Sequence, residues 1–409
     1  MKKYIALLFL AVCPFIGLKA THFPAYKAVS IKCISHDSLN IYILNQQGIE
    51  IFNKSTGTST LYNKETGYFS EHWYAYVLSR PYGGVGLNYL TLRPDTIWVG
   101  SNDGILYRIT DGVVDSTKHY CDLNEFETME SIVPMGINGI VFDSKGNIVI
   151  GGSNCFNVIY PTGEEDSFTF PSIHYGNEIW QMVIDKNDDI WVSSTGAGAG
   201  NGLIKYHVGG ELEVISDNSK NPPFRSAYVK GMTIDNDGHL WFGSSHKDQV
   251  SEDRVESRAK LLKYDGNEFT SYDIGPGVEV PISMMCDSRG RIWYLPTAPI
   301  DYVTKISEYS KGPLCCFDNG EVTRYEWSQD AGYCYCVDID GDSIYIGTDN
   351  GVLVFCDGAF RWLNNDEAGI SDASSPQSLK TATFDLQGRR IQGEPKHGVY
   401  IRNGKKVMK

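Results

Sequence analysis

Nothing in this 409-residue sequence is long and apolar enough to span a membrane as a helix: the one apolar run, Tyr4 to Leu18, falls short of the roughly 20 residues required, and no second follows. A clustered basic stripe is also missing, and phosphate-backbone binding relies on one, so no nucleic-acid partner is expected. The chain has no Gly-x-Ser-x-Gly, phosphate loop or His-Glu-x-x-His, so no nucleophile elbow, nucleotide cradle or zincin helix is nominated. Zinc-ligand spacing is lacking among the ten cysteines. Cys315 and Cys316 are adjacent, and Cys334 and Cys336 fall on one face if they share a strand.

What is present begins at the amino terminus. Lys2 and Lys3, the apolar run and Ala20 before Thr21 follow the order of a secretory signal peptide over residues 1–20. The chain is therefore expected outside the cytoplasm: periplasmic, at the cell surface or secreted. A lipoprotein would need Cys13 as the acylated residue, but Val12 precedes it and Pro14-Phe15 continue the apolar run. Without Cys13 an odd number of cysteines remains, which cannot all pair internally. They are expected as small buried hydrophobes in strands. The formal charge of −14 is uneven: residues 376–409 carry eight Lys and Arg against two Asp and Glu, so the body is more acidic than the total.

Self-similarity at periods near 50 residues is the main signal. Asp185-Lys-Asn-Asp-Asp-Ile-Trp191, Asp235-Asn-Asp-Gly-His-Leu-Trp241-Phe-Gly243 and Asp287-Ser-Arg-Gly-Arg-Ile-Trp293 share a turn, an aliphatic and an aromatic. Asp143–Gly151 and Asp340–Gly347 repeat the pattern, and looser copies surround Trp98 and Tyr42. The aligned positions are 42, 98, 149, 191, 241, 293 and 345. Each copy predicts four strands, with the Asp/Gly turn before the second and the aromatic on it. No such unit can bury its faces alone, so the fold class expected is all-β, a seven-bladed propeller over residues 21–370. The tryptophans read as packing between blades. The first and last copies each supply four strands, which predicts closure by face packing rather than by a borrowed strand.

The pattern Asp-x-x-Gly-x-[Ile/Leu]-Trp-[Ile/Val/Phe]-Gly, followed by Gly-[Leu/Ile]-x-x-[Tyr/Phe], resembles the two-component-regulator propeller repeat over about residues 28–364. That resemblance implies seven blades in a sensor-like extracellular protein, here without a kinase. After a small-polar linker at 371–379, residues 380–409 predict two alternating strands with Gly turns. Asp385, Gly388 and Arg389, then Gly398 and Tyr400, then Gly404 and Lys405 resemble the end of the type IX secretion sorting domain. The earlier strands of that domain are missing. The resemblance implies that the secretion machinery is a partner of the tail.

Enzymatic chemistry is harder to place. Asp185-x-Asn187-x-Asp189 and Asp338-x-Asp340-x-Asp342 match the first ligand positions of a calcium loop, yet neither has the later Gly and Glu, so both read as blade turns. The streptogramin-lyase family has a similar propeller and uses a His and a Glu-x-His pair at a metal; this sequence contains no Glu-x-His. No cofactor, metal or catalytic residue is expected. A metal-dependent lyase or glycan-processing enzyme remains an alternative, as does a surface adhesin. The informative residues lie in long inserts between the second and third strands and between blades, which share one face. Trp73, Tyr74, Tyr76, Arg80, Tyr82, His246, Arg254 and Tyr302 are the candidate contacts for a glycan, peptide or protein.

Overall fold

The computed structural model describes residues 31–45, 48–63, 87–122, 132–134, 136–152, 155–169, 178–195, 203–215, 229, 231–251, 254–276, 280–297, 310–363, 383–384, 390–391, 399–402 and 405–408. Seven four-stranded antiparallel sheets form seven blades, over residues 31–63, 87–118, 139–169, 178–214, 232–276, 281–325 and 334–362. In each blade the four strands lie in sequence order. The seven first strands neighbour one another in a closed circle around the axis.

The repeat motif explains the blade turn atom by atom. In blade 6, Asp287 Oδ1 accepts the backbone N–H groups of Arg289 and Arg291, both at 2.9 Å, and Oδ2 accepts Trp293 Nε1–H at 2.9 Å. Asp185 with Trp191 and Asp235 with Trp241 repeat the arrangement at 3.1 and 2.8 Å. In blade 3, which has Val149 in place of Trp, Asn147 Nδ2 donates to Asp143 instead. The turn glycines Gly146, Gly238 and Gly290 have φ of 85°, 87° and 81°, where a β-carbon would be strained. Trp98, Trp191, Trp241 and Trp293 all lie on second strands, as the spacing requires.

Packing runs between blades. Seven apolar clusters occupy the seven interfaces, and the repeat aromatics sit within them: Trp241, for example, contacts Tyr272 of its own blade and Phe317 of the next. A glycine after the aromatic admits the next blade's first strand. A β-carbon on Gly243 would lie 2.4 Å from Pro281, and one on Gly100 2.3 Å from Ile137. Closure follows the expectation of face packing. Ile31, Ile34, Ile41 and Phe52 of blade 1 pack against Tyr345, Val352, Val354 and Leu363 of blade 7, with no strand exchanged among the described residues.

Three local expectations are corrected. Cys334 and Cys336 do not share a face: a β-bulge between them sends Cys334 into the blade 6–7 core and Cys336 into the blade 7–1 core. The insert that carries His246 and Arg254 is mostly a continuation of strands Leu240–Ser251 and Arg254–Tyr264, which pair as a long hairpin rather than a loop. The tail contains four short strands, Thr383–Phe384, Arg390–Ile391, Val399–Arg402 and Lys405–Met408, in one antiparallel sheet rather than two strands. Seven described cysteines remain thiols, and Cys155 is disulfide-bonded.

Candidate functional site: the axial channel

The first strands enclose an axial cavity of about 400 Å³, within the range of small-ligand sites. Each first strand begins at the face receiving the connection from the preceding blade and ends at the Asp turn. Lys32 and Tyr335 therefore line the connection end, while Ser35, Thr91 and Asp338 line the turn end.

A collar of side chains crosses the channel wall at one level. In five blades a β-bulge interrupts the first strand, and the residue after it is Cys33, Tyr89, Gln181, Ser283 or Cys336. Four of these tie their blade to the next. Cys33 Sγ–H donates to Leu90 O at 3.4 Å and Cys336 Sγ–H to Ile31 O at 3.8 Å. Gln181 Oε1 accepts Met232 N–H at 2.7 Å, and Ser283 Oγ accepts Val337 N–H at 3.0 Å. Burial pushes the Cys33 thiol up to about 12, so it stays protonated and able to donate. Burial also raises the Tyr89 phenol, keeping its O–H intact.

Both ends of the channel are charged. At the connection end Lys32 Nζ lies 5.2 Å from the Tyr335 ring centroid, an arrangement that favours a cation. Tyr335 Oη–H donates to Asp349 Oδ1 at 2.6 Å, and Asp349 also accepts Tyr333 N–H at 2.9 Å. At the turn end His36 Nδ1 lies 2.6 Å from Asp338 Oδ2. That hydrogen bond outweighs burial and raises the His36 pKa, so the pair is an ion pair at the pH where His36 is protonated.

Trp73, Tyr74, Tyr76, Arg80, Tyr82 and Tyr302 lie outside the described residues, as do Asp385, Gly388, Arg389, Gly398 and Gly404 of the tail. His246 and Arg254 belong to the blade 5 hairpin, with His246 opposite Arg258 and Arg254 opposite Ser251. Tyr400 and Lys405 fall on adjacent tail strands. The first turn reading holds, since Asp185 Oδ1 accepts Asn187 N–H and Asp189 N–H; in the second motif Asp338 and Asp340 lie on strand Cys334–Asp340 and Asp342 in the turn after it, and the three face His36, Lys54 and Arg289 respectively. Asp235, Asp237 and His239 bring three ligand-type atoms within 4.8 Å, but Asp235 already serves Trp241 and the turn amides.

The collar escaped sequence reading because its residue types differ. A usable signal existed, since each collar residue stands nine or ten positions before its repeat aromatic.

No family model matches the chain, and no curated protein matches it. Solved structures do. A catalytically inactive His-to-Ala form of virginiamycin B lyase from Staphylococcus aureus, with quinupristin, is 15% identical at a TM-score of 0.56, covering 82% of this chain and 96% of that one. PorZ, an essential surface component of the type-IX secretion system of Porphyromonas gingivalis, is 14% identical at 0.54, covering 93% of this chain and 54% of that one. An extracellular domain assigned to a hybrid two-component system of B. thetaiotaomicron is 14% identical at 0.42, covering 80% and 44%. The first two likenesses establish a shared propeller fold and, at such identities, the fold alone.

Proposed function

We propose that this chain is exported and acts as a non-catalytic propeller, binding a glycan, peptide or protein through the face that carries its second-to-third and blade-to-blade connections. The observation that carries this reading is the make-up of the channel beneath that face. Its described wall combines hydroxyl, amide and thiol groups with Tyr89 and Tyr335, and its carboxylate, Asp338, is already held by His36. Such a wall can orient a ligand through its hydrogen-bonding groups. The virginiamycin lyase shares the scaffold, and its inactive form is a histidine variant.

The eight residues singled out from the sequence remain the proposed contacts. Trp73→Ala and Tyr76→Ala, tested separately in pull-downs from the host's extracellular fraction, should lose a captured partner while keeping the wild-type melting temperature. Normal capture by both variants would remove the site from these residues. The tail is proposed as a type IX sorting signal, supported by its motif and by the fold shared with a surface component of that system.

A further inference from the structure

We propose that a groove between blades 6 and 7, on the Asp-turn face, binds a neutral sugar ring. The groove lies at the opposite end of the blades from the connection face and does not rest on the contacts proposed there.

The two turns that border the groove differ in length. In blade 6 Ser288, Arg289 and Gly290 stand between Asp287 and Arg291, and Asp287 N–H donates to Arg291 O at 3.0 Å. Blade 7 turns one residue sooner, with Gly341 and Asp342 alone between the paired Asp340 and Ser343. Where two of the longer turns adjoin, a side chain of one reaches the backbone of the next: Lys186 Nζ donates to Asp237 O at 2.8 Å and Asn236 Nδ2 to Asp287 O at 2.9 Å. Among the described residues the turns of blades 6 and 7 are hydrogen-bonded through the exposed Arg289–Asp342 pair instead, at 3.0 Å. Both of these side chains line a cavity of about 280 Å³.

The lining is of two kinds. At depth are the buried rings of Trp293 and Phe355, with Tyr325 packed on both at centroid distances of 5.6 and 4.8 Å. At the rim are the exposed Arg289, Asp342 and Asp357, with Arg291 half-buried. Among the described residues the Arg291 side chain hydrogen-bonds through Nε alone, to Asp287, which leaves Nη1 and Nη2 as donors. Asp342 gives Oδ1 to Arg289 and keeps Oδ2, and the Asp357 carboxylate makes no hydrogen bond among the described residues. Each arginine is already ion-paired, Arg289 with Asp342 and Arg291 with Asp287, so what both offer is hydrogen-bonding capacity rather than uncompensated charge. An entering anion would meet Asp342 and Asp357, and an entering cation the two guanidiniums, whereas a hydroxyl donates to the carboxylates and accepts from the arginines. A sugar ring carries hydroxyls at its edge and C–H groups on its face, matching a polar rim over aromatic carbon. The volume lies just under the about 300–1,000 Å³ of drug-sized sites and suits one ring rather than a chain.

Calorimetry on the whole chain tests this with galactose, glucose and mannose, each compared with its uronate and its hexosamine. Millimolar binding of at least one neutral hexose, tighter than that of its two charged forms, is the expected result. Asp357→Gly is the decisive variant: Asp357 has φ of 51°, a conformation glycine adopts freely, and its carboxylate holds no other described group. It should weaken binding by about 10-fold or more, as loss of a hydrogen bond to a charged group does. Arg291→Lys, which keeps a cation beside Asp287 but removes both Nη donors, should weaken it likewise. Melting curves show whether each variant is folded, and where Arg291→Lys is not, Asp357→Gly decides alone. No binding of the three hexoses at millimolar concentration, tighter binding of a charged form, or wild-type affinity in Asp357→Gly would overturn the proposal. Capture through Trp73 and Tyr76 is read in a separate experiment, so either conclusion can fail alone.

Discussion

At each blade turn one carboxylate holds both the backbone and the aromatic that follows. Burial alone would raise the pKa of Asp287, but hydrogen bonds from Trp293, Arg291 and Arg289 hold it below the ordinary carboxylate range, and Asp235 is lowered in the same way by Trp241 and His239. A folded pKa below the unfolded value of about 3.9 stabilises the fold above that pH, and the gain is lost as pH falls through the folded value. Asp287→Ala should therefore cost about 2–4 kcal/mol at neutral pH, since it strands buried donors. The gap to wild type should narrow in strong acid; urea denaturation at both pH values checks this, and an unchanged gap would contradict it. This motif was legible in the sequence because its chemistry is local. The Asp, the turn residue and the aromatic lie within seven consecutive positions. The collar was not legible, because Gln181 and Met232 are distant in the chain and meet only when two blades pack.

At the scale of elements, strands with alternating apolar residues were readable and those without were not. Ser245–Ser251 is polar, so nothing in its sequence marks a strand, yet the register set by Leu240–Gly243 opposite Leu261–Tyr264 carries on outward as a hairpin. Main-chain pairing needs no apolar face to continue once a blade has fixed its start. The tail shows a related limit. Its two-residue strands Thr383–Phe384 and Arg390–Ile391 are too short for periodicity to reveal. Removing residues 376–409 should leave the ring's melting temperature nearly unchanged while changing where the protein accumulates. Cell fractionation and thermal melts on the same truncation test this. A large fall in stability with unchanged location would refute the sorting role.

At the scale of the whole molecule, a ring closed without a shared strand relies on its last interface, and the seam between blades 7 and 1 carries a charged cluster. His36 Nδ1 lies 2.6 Å from Asp338, its Nε2 lies 3.7 Å from Asp340, and Lys54 Nζ reaches Asp340 at 2.5 Å. The Asp338 hydrogen bond is the largest influence on His36. Burial and Lys54 oppose it and Asp340 reinforces it, leaving the pKa raised. A histidine whose folded pKa exceeds the unfolded value of about 6.5 adds stability that is fully present below 6.5 and disappears as pH rises through the folded value. The seam should therefore be tightest in mild acid, where protonated His36 bridges Asp338 and Asp340. His36→Asn, compared with wild type in thermal melts from about pH 6 to 9, should show its largest deficit at the acid end and a closing gap toward the alkaline end. A deficit independent of pH would mean that His36 acts at the seam through packing alone, and a deficit growing with pH would reverse the assigned sign.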